Sequence, residues 1–351
     1  MKKIGIAIIL VVLISGIIIL IDKNKIEQKT TENDLDTTIK EEKNDESTVA
    51  ETKTPVEIHG KLSVNGTKIV DKDGQTVQLR GISTHGLQWY PQYVNKDAFK
   101  YMEEQWGINV IRLAMYTEPN VGYTKELHNK VKEGINYATE LGLYVIVDWH
   151  ILSDNNPNIH KTEAIEFFKE FAEEYKNNEN IIYEICNEPN GNVTWERDVK
   201  PYAEEVIGEI RKIDKDSIII CGTPNWCQDV DIVSKSPIQG YDNIMYSLHF
   251  YAATHTEWLR TRVQKAIDAG LPIFVSEFGI CNALGNGEID YTQANEWIKF
   301  LNENDISWVM WNLSNKQETS AIILQNCDKI TAWTQNELSE AGKWFVETLK
   351  K

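Results

Sequence analysis

The chain of 351 residues is short of positive charge: 36 Lys and Arg stand against 53 Asp and Glu, a net charge of −17. A field of that sign repels phosphate backbones and anionic lipid, so nucleic acid is excluded as a partner and a neutral or cationic one is favoured. Cysteine is scarce and unorganised. The five residues, Cys186, Cys221, Cys227, Cys281 and Cys327, form no CxxC pair and no zinc-type spacing with histidine, so no metal site and no cofactor are expected. Their odd number, and the apolar runs around Cys186 and Cys221, argue against a disulfide framework and leave only a Cys221–Cys227 bridge open. No repeat of collagen or coiled-coil type occurs, and with 42% hydrophobic and 10% aromatic residues the chain is too apolar to be disordered throughout.

A long uncharged apolar run occurs once, from Ile4 to Ile21 behind Lys2 and Lys3. Its eighteen residues exceed the core of a usual cleaved signal, no small-x-small cleavage site follows, and there is no Cys for lipidation. An uncleaved N-terminal membrane anchor is therefore expected, with a cleaved secretory signal as the alternative. Either reading places the remainder outside the cytoplasm, on the cell surface or secreted. From 22 to 56 the chain is mostly Glu, Asp, Lys, Thr and Asn, too polar to offset the entropy of ordering, and reads as an acidic disordered tether.

The segment 57–351 reads as one catalytic-sized domain. Eight nearly continuous apolar runs, 77–84, 110–116, 144–151, 181–187, 217–223, 243–251, 272–278 and 307–313, have the pattern of strands buried on both faces, hence parallel ones. Helical periodicity at 97–106, 124–142, 161–177, 195–214, 256–269, 290–304 and 336–350 alternates with them. This α/β pattern predicts a (β/α)8 TIM barrel, with the turn signals NGT and KDGQ in 61–76 marking a short β-hairpin at its floor. A monomer is expected.

Chemistry in such a barrel gathers at the C-terminal ends of the strands. There the sequence places His85, Arg112, His150, Asn187, Glu188, His249, Tyr251, Glu277 and Trp311. Charged side chains in strands that are otherwise apolar are costly to bury, and two Glu on separate strands with Arg, His and Tyr beside them are hard to explain as isolated ion pairs. The strands ending in Glu188 and Glu277 are three positions apart around the ring, so their carboxyls can flank one bond. Glycoside hydrolysis needs such a pair, one protonated and one ionised. The eleven Trp suit sugar stacking or core filling alike.

The strings RGISTHGLQW (80–89), VIRLAMY (110–116), IVDWH (146–150), YEICNEPNG (183–191), SLHFYA (247–252), VSEFG (275–279) and VMWNLSNK (309–316) together resemble glycoside hydrolase family 5, in particular its bacterial endoglucanase branch. The resemblance runs from about 58 to 350. It implies a retaining endo-β-1,4-glucanase whose partner is a β-1,4-glucan, with Glu188 as acid/base and Glu277 as nucleophile. By the same resemblance Arg112 and Tyr251 hold Glu277 ionised, Asn187 bonds the sugar 2-hydroxyl, His249 orients Glu188, and His150 binds the reacting sugar. Trp311 becomes the platform at the cleavage point, His85, Trp89, Tyr116, Lys316 and Glu318 lie on the non-reducing side, and Trp226 lies on the leaving-group side. With no carbohydrate-binding module in the sequence, soluble or amorphous glucans are the expected substrates. Mannan, xyloglucan and mixed-linkage β-glucan remain alternatives, as does an inactive glucan-binding barrel. A phosphate-dependent isomerase or aldolase on the same barrel lacks its glycine-rich phosphate loop and its Schiff-base Lys.

Overall fold

The computed structural model describes residues 53–351. The first element among the described residues is a short helix, Pro55–His59, whose start Thr54 caps by accepting from the Glu57 backbone while the Glu57 carboxylate accepts from the Thr54 backbone. That helix begins inside the stretch read as tether. A hairpin follows, β1 Ser63–Asn65 and β2 Lys68–Val70, turning at Gly66, where φ is 60°.

Eight parallel strands then close a barrel: β3 Arg80–Thr84, β4 Val110–Tyr116, β5 Tyr144–His150, β6 Ile181–Glu184, β7 Ile218–Cys221, β8 Ile244–Tyr251, β9 Ile273–Gly279 and β10 Trp308–Leu313, with β10 pairing back onto β3. The (β/α)8 expectation holds. The surrounding helices are amphipathic. In Lys200–Ile213, for example, Tyr202, Ala203, Val206, Ile207 and Ile210 are buried against the barrel at helical spacing. The return after β7 is irregular, a turn at 224–227 and one turn of helix at Val230–Val233, and the sequence carries no helical period there.

The floor is an apolar plug. Leu62 and Ile69 from the hairpin region join Val77, Leu79 and the lower inward residues Val110, Ile146, Ile182, Ile220, Met245, Phe274 and Val309. The Tyr144 hydroxyl donates to the Gly60 carbonyl at 2.6 Å, and the Val64 N–H donates to Asn243 Oδ1 at 2.8 Å, pinning the hairpin across the bottom. At the other end of the chain, helix Glu340–Leu349 starts beside the mouth, where Ser339 donates to Ala321, and runs back toward the floor.

One open alternative closes here, and one expectation is corrected. All five cysteines are free and buried, so no Cys221–Cys227 bridge exists; Cys227 instead donates to a backbone carbonyl. The run 4–21 and the stretch 22–52 lie outside the described residues. Among the described residues no helix is long and apolar enough to cross a membrane. No membrane anchor, membrane partner or anchored cell-surface location is carried forward.

Candidate active site

Each strand points alternate side chains inward, and one step above the apolar plug the inward residues turn polar. Ser83 pairs in register with Arg112, and Asp148 with Glu184. Arg112, fully buried, supplies the cation that lets those acids coexist. Its Nε donates to Glu184 at 2.7 Å, its Nη2 to Asp148 at 3.0 Å and to Asn187 Oδ1 at 2.6 Å, and its Nη1 to Glu277 Oε2 at 3.2 Å. Burial works against a charged guanidinium, but the carboxylates Asp148, Glu184 and Glu277 hold its pKa far above the ordinary value. Burial drives the Asp148 carboxyl well up, whereas at Glu184 the opposing Arg112 and His249 outweigh burial and the carboxyl lies below its usual range.

Glu277, near the end of β9, accepts from the Tyr251 hydroxyl at 2.8 Å on Oε1 and from Arg112 on Oε2. Tyr251 reaches it because residue 279 is glycine: a Cβ there would stand 2.5 Å from the Tyr251 ring. Burial and the neighbouring Glu188 nonetheless raise the Glu277 carboxyl, against the pull of His249, Arg112 and Tyr251. The expected downward shift is not found. Two carboxyls this close cannot both ionise cheaply.

Glu188 sits just beyond β6 and accepts from His249 Nδ1 at 2.8 Å. The other His249 nitrogen meets Ser276 Oγ at 3.0 Å, and Ser276 in turn donates to Glu184. Burial alone would depress this imidazole, but the neighbouring carboxylates Glu184, Glu188 and Glu277 lift it to about 9. One oxygen from each of Glu188 and Glu277 and one His249 nitrogen lie within 4.8 Å of one another. That spacing could suit a cation, yet a protonated His249 with both nitrogens engaged offers no lone pair to one.

Above these groups opens a cleft of about 590 Å³, lined among others by His85, Tyr116, His150, Glu188, Trp226, His249, Tyr251, Glu277, Trp311, Lys316 and Glu318. Trp311 and His150 stack at 5.4 Å, and His150 lies 4.1 Å from the Tyr116 ring. His150 is held neutral, burial and the Arg112 charge depressing it well below its usual value, with Nδ1 donating to Asp148 at 2.6 Å. Glu318 bonds Lys316 at 2.6 Å and accepts from Asn312 at 2.8 Å. Trp89 stands at the rim, 44% exposed, its ring 4.8 Å from Tyr116, and Gly86 leaves room for both.

Arg112 and Asn187 lie beneath the cleft wall rather than in it. The Asn187 amide is spent on Arg112, on His150 at 3.2 Å and on the Ile151 carbonyl at 3.0 Å, which leaves no donor for a sugar in this arrangement. Trp226 is carried on a strained turn: Asn225, Trp226 and Cys227 have φ of 59°, 53° and 59°. Left-handed backbone costs non-glycine residues roughly 1–2 kcal/mol each. The turn is held by Trp226 N–H to the Pro189 carbonyl at 3.1 Å and by the Cys227 thiol to the Asn187 carbonyl at 2.8 Å, so it is tied to the loop bearing Glu188.

Sequence reasoning missed Asp148, Glu184 and Ser276, which form the charged layer under the site, although an acid inside VDWH and YEIC was a visible signal. His255 is buried and lines the cleft. His128 is buried away from the cleft and bonded to Glu170 at 3.0 Å.

Residues 70–317 match the family model "Cellulase (glycosyl hydrolase family 5)". The chain is 49% identical over 299 residues to Endoglucanase 5 of Pectobacterium carotovorum subsp. carotovorum, an alignment covering 85% of this chain and 59% of that protein. The chain thus spans about three-fifths of that relative's length. Among solved structures, one from Cytophaga hutchinsonii superposes with a TM-score of 0.81 at 40% identity, covering 85% of this chain and 97% of that one. The catalytic domain of the Thermobifida fusca endoglucanase E5 gives a TM-score of 0.80 at 37% identity, covering 85% of this chain and all (100%) of that one.

Proposed function

The chain belongs to glycosyl hydrolase family 5, and from that premise we propose that it is a retaining endo-β-1,4-glucanase acting on soluble or amorphous glucan. The observation that carries the reading is the opposed pair Glu188 and Glu277, whose nearest oxygens lie within 4.8 Å across the mouth. Retention calls for carboxyls about 5–5.5 Å apart, and inversion for about 6.5–9.5 Å, to admit a water between them. The names of the relatives, endoglucanases and cellulases, support β-1,4-glucan as the substrate.

In this reading Glu188 delivers its proton to the glycosidic oxygen as the Glu277 carboxylate attacks the anomeric carbon, so the C–O bond to the leaving sugar breaks while the glycosyl-enzyme ester forms. Tyr251 and Arg112 aim the attacking carboxylate. Glu188, now ionised, takes a proton from water, which displaces Glu277 and restores the anomeric configuration. His249 positions Glu188 throughout. The developing positive charge on the sugar ring meets a site holding ionised Glu277 and the face of Trp311. Trp311 and His150 bind the sugar at the cleavage point, His85, Trp89, Tyr116, Lys316 and Glu318 bind the non-reducing side, and Trp226 binds the leaving side.

Reducing-sugar release from carboxymethylcellulose, mannan, xylan and barley β-glucan in parallel tests the substrate, with the first expected to lead mannan and xylan by at least about tenfold, a difference of about 1.4 kcal/mol. A preference for mannan or xylan would overturn the glucan assignment while leaving the hydrolase. Proton NMR of the first-formed product should show the β anomer, and an α product would end the retaining claim.

A further inference from the structure

The cleft's walls differ on its two sides. His85, Trp89, Tyr116, Trp311 and Lys316 come from the ends of β3, β4 and β10, whereas the opposite side is built from the loops after β7, β8 and β9. There the turn after β8 continues past Tyr251 in a built arrangement. His255 is buried, and its Nδ1 accepts the Tyr251 backbone N–H at 2.8 Å, so the proton of the neutral ring sits on Nε2, on the side available to the cleft that this residue lines. Burial pushes the imidazole down to about 4, which makes that donor constant at neutral pH.

His255 packs edge-on against Trp258, centroids 5.7 Å apart at 62°. Trp258 opens helix Glu257–Asp268 on the catalytic face and is 46% exposed, with its indole N–H turned back to the Thr254 carbonyl at 3.4 Å. The polar edge is thus occupied and the apolar ring is left in water. Thr254 Oγ1 also accepts from Ala283 N at 3.0 Å, which joins this turn to the loop after β9, where Leu284 lines the same cleft at 88% exposure. A single exposed aromatic is ordinary on a protein surface. Here Trp226 and Leu284 line the cleft and Trp258 stands exposed beside His255, which lines it too, at the ends of three adjacent strands.

We propose that Trp258 is a stacking platform for a glucose unit on the leaving-group side, one step beyond the sugar met by Trp226, with His255 donating from Nε2 to a hydroxyl between them. The proposal deepens the endoglucanase reading and rests on it. The flat CH-bearing face of a β-linked glucose fits an exposed aromatic ring, and an open apolar ring gains most from a partner that also covers it from water. The enzyme then grips its chain farther past the cleaved bond than the Trp226 rim alone allows, which favours internal cleavage of long chains.

The test compares full-length Trp258→Ala and Trp258→Phe with wild type on an aryl β-cellotrioside, cellotetraose and reducing-end-labelled cellohexaose. Trp258→Ala is expected to lose roughly fivefold or more in kcat/KM on cellohexaose, mostly through KM, and less than about twofold on the aryl substrate, which leaves the distal subsite empty. Its labelled products should shift so that fewer sugars leave on the reducing side, and Trp258→Phe should restore most of both. Equal losses on long and short substrates, or an unchanged cleavage pattern, would overturn the platform while sparing the endoglucanase reading. Wild-type enzyme that leaves cellohexaose intact would overturn that reading itself and the platform with it.

Discussion

Two layers fill the inside of this barrel, one residue pair apart on the same strands, and they are chemical opposites. Val110, Ile146, Ile182, Met245 and Phe274 form the lower one; two residues further along their strands stand Arg112, Asp148, Glu184, Ser247 and Ser276. The lower layer can be packed by hydrocarbon alone. The upper layer must first be made neutral. Arg112 and His249, both held above their ordinary pKa, stand there against the carboxyls Asp148, Glu184 and Glu277. The difference teaches that Glu277 is aimed by a buried charge network beneath the cleft, which hydrocarbon packing alone would not supply.

The sharpest break of that network is at Glu277. Glu277→Ala should lower turnover by about 10⁴-fold or more, as loss of a nucleophile does, while the folded state holds. Azide with an activated substrate should then yield the inverted glycosyl azide. Glu188→Ala should instead retain aryl glycosides with good leaving groups, and exchanged phenotypes would reverse the two roles. Arg112→Met comes next, leaving three acids without their cation. A loss of about 3–5 kcal/mol in urea unfolding is expected, together with activity. In the lower layer, Ile220→Ala should cost about 2–5 kcal/mol yet leave kcat/KM of the folded fraction within about twofold. A large catalytic defect there would show that the layers are not separable.

His249 gives a smaller, pH-dependent contrast. The folded imidazole binds its proton more tightly than the unfolded one, about 9 against about 6.5, so its contribution is full below about 6.5 and is lost as pH climbs toward 9. Stability measured across that window should fall in wild type and fall less in His249→Gln. Equal slopes would refute the assignment. The smallest effect belongs to neither layer: breaking the exposed Lys96–Glu140 pair with Lys96→Ala should change stability by less than about 1 kcal/mol, and activity not at all.

The barrel was legible because its strands are continuous apolar runs, and the Glu pair because it sits where those runs end. The same continuity hid the charged layer. When both faces of a strand are buried, apolar periodicity no longer tells which residues face inward, so Asp148 and Glu184 read as interruptions rather than as partners of Arg112. The return after β7 was missed for a different reason, since a strained turn and one turn of helix are too short to carry a period. Asn187 was placed by resemblance on a sugar hydroxyl, and only its three-dimensional neighbours reveal how its amide is already spent.

The plugged floor also fixes how the enzyme can be handled. The helix Pro55–His59 docks beside the start of β5, through Val56 N–H to the Gly142 carbonyl at 3.0 Å, and helix Glu340–Leu349 runs from the mouth toward that same end. Both ends of the barrel domain therefore leave from the face opposite the cleft. A resin, a pulling handle or a fused scaffold attached at residue 54 or after Lys351 would present the barrel mouth outward, with the cleft left open.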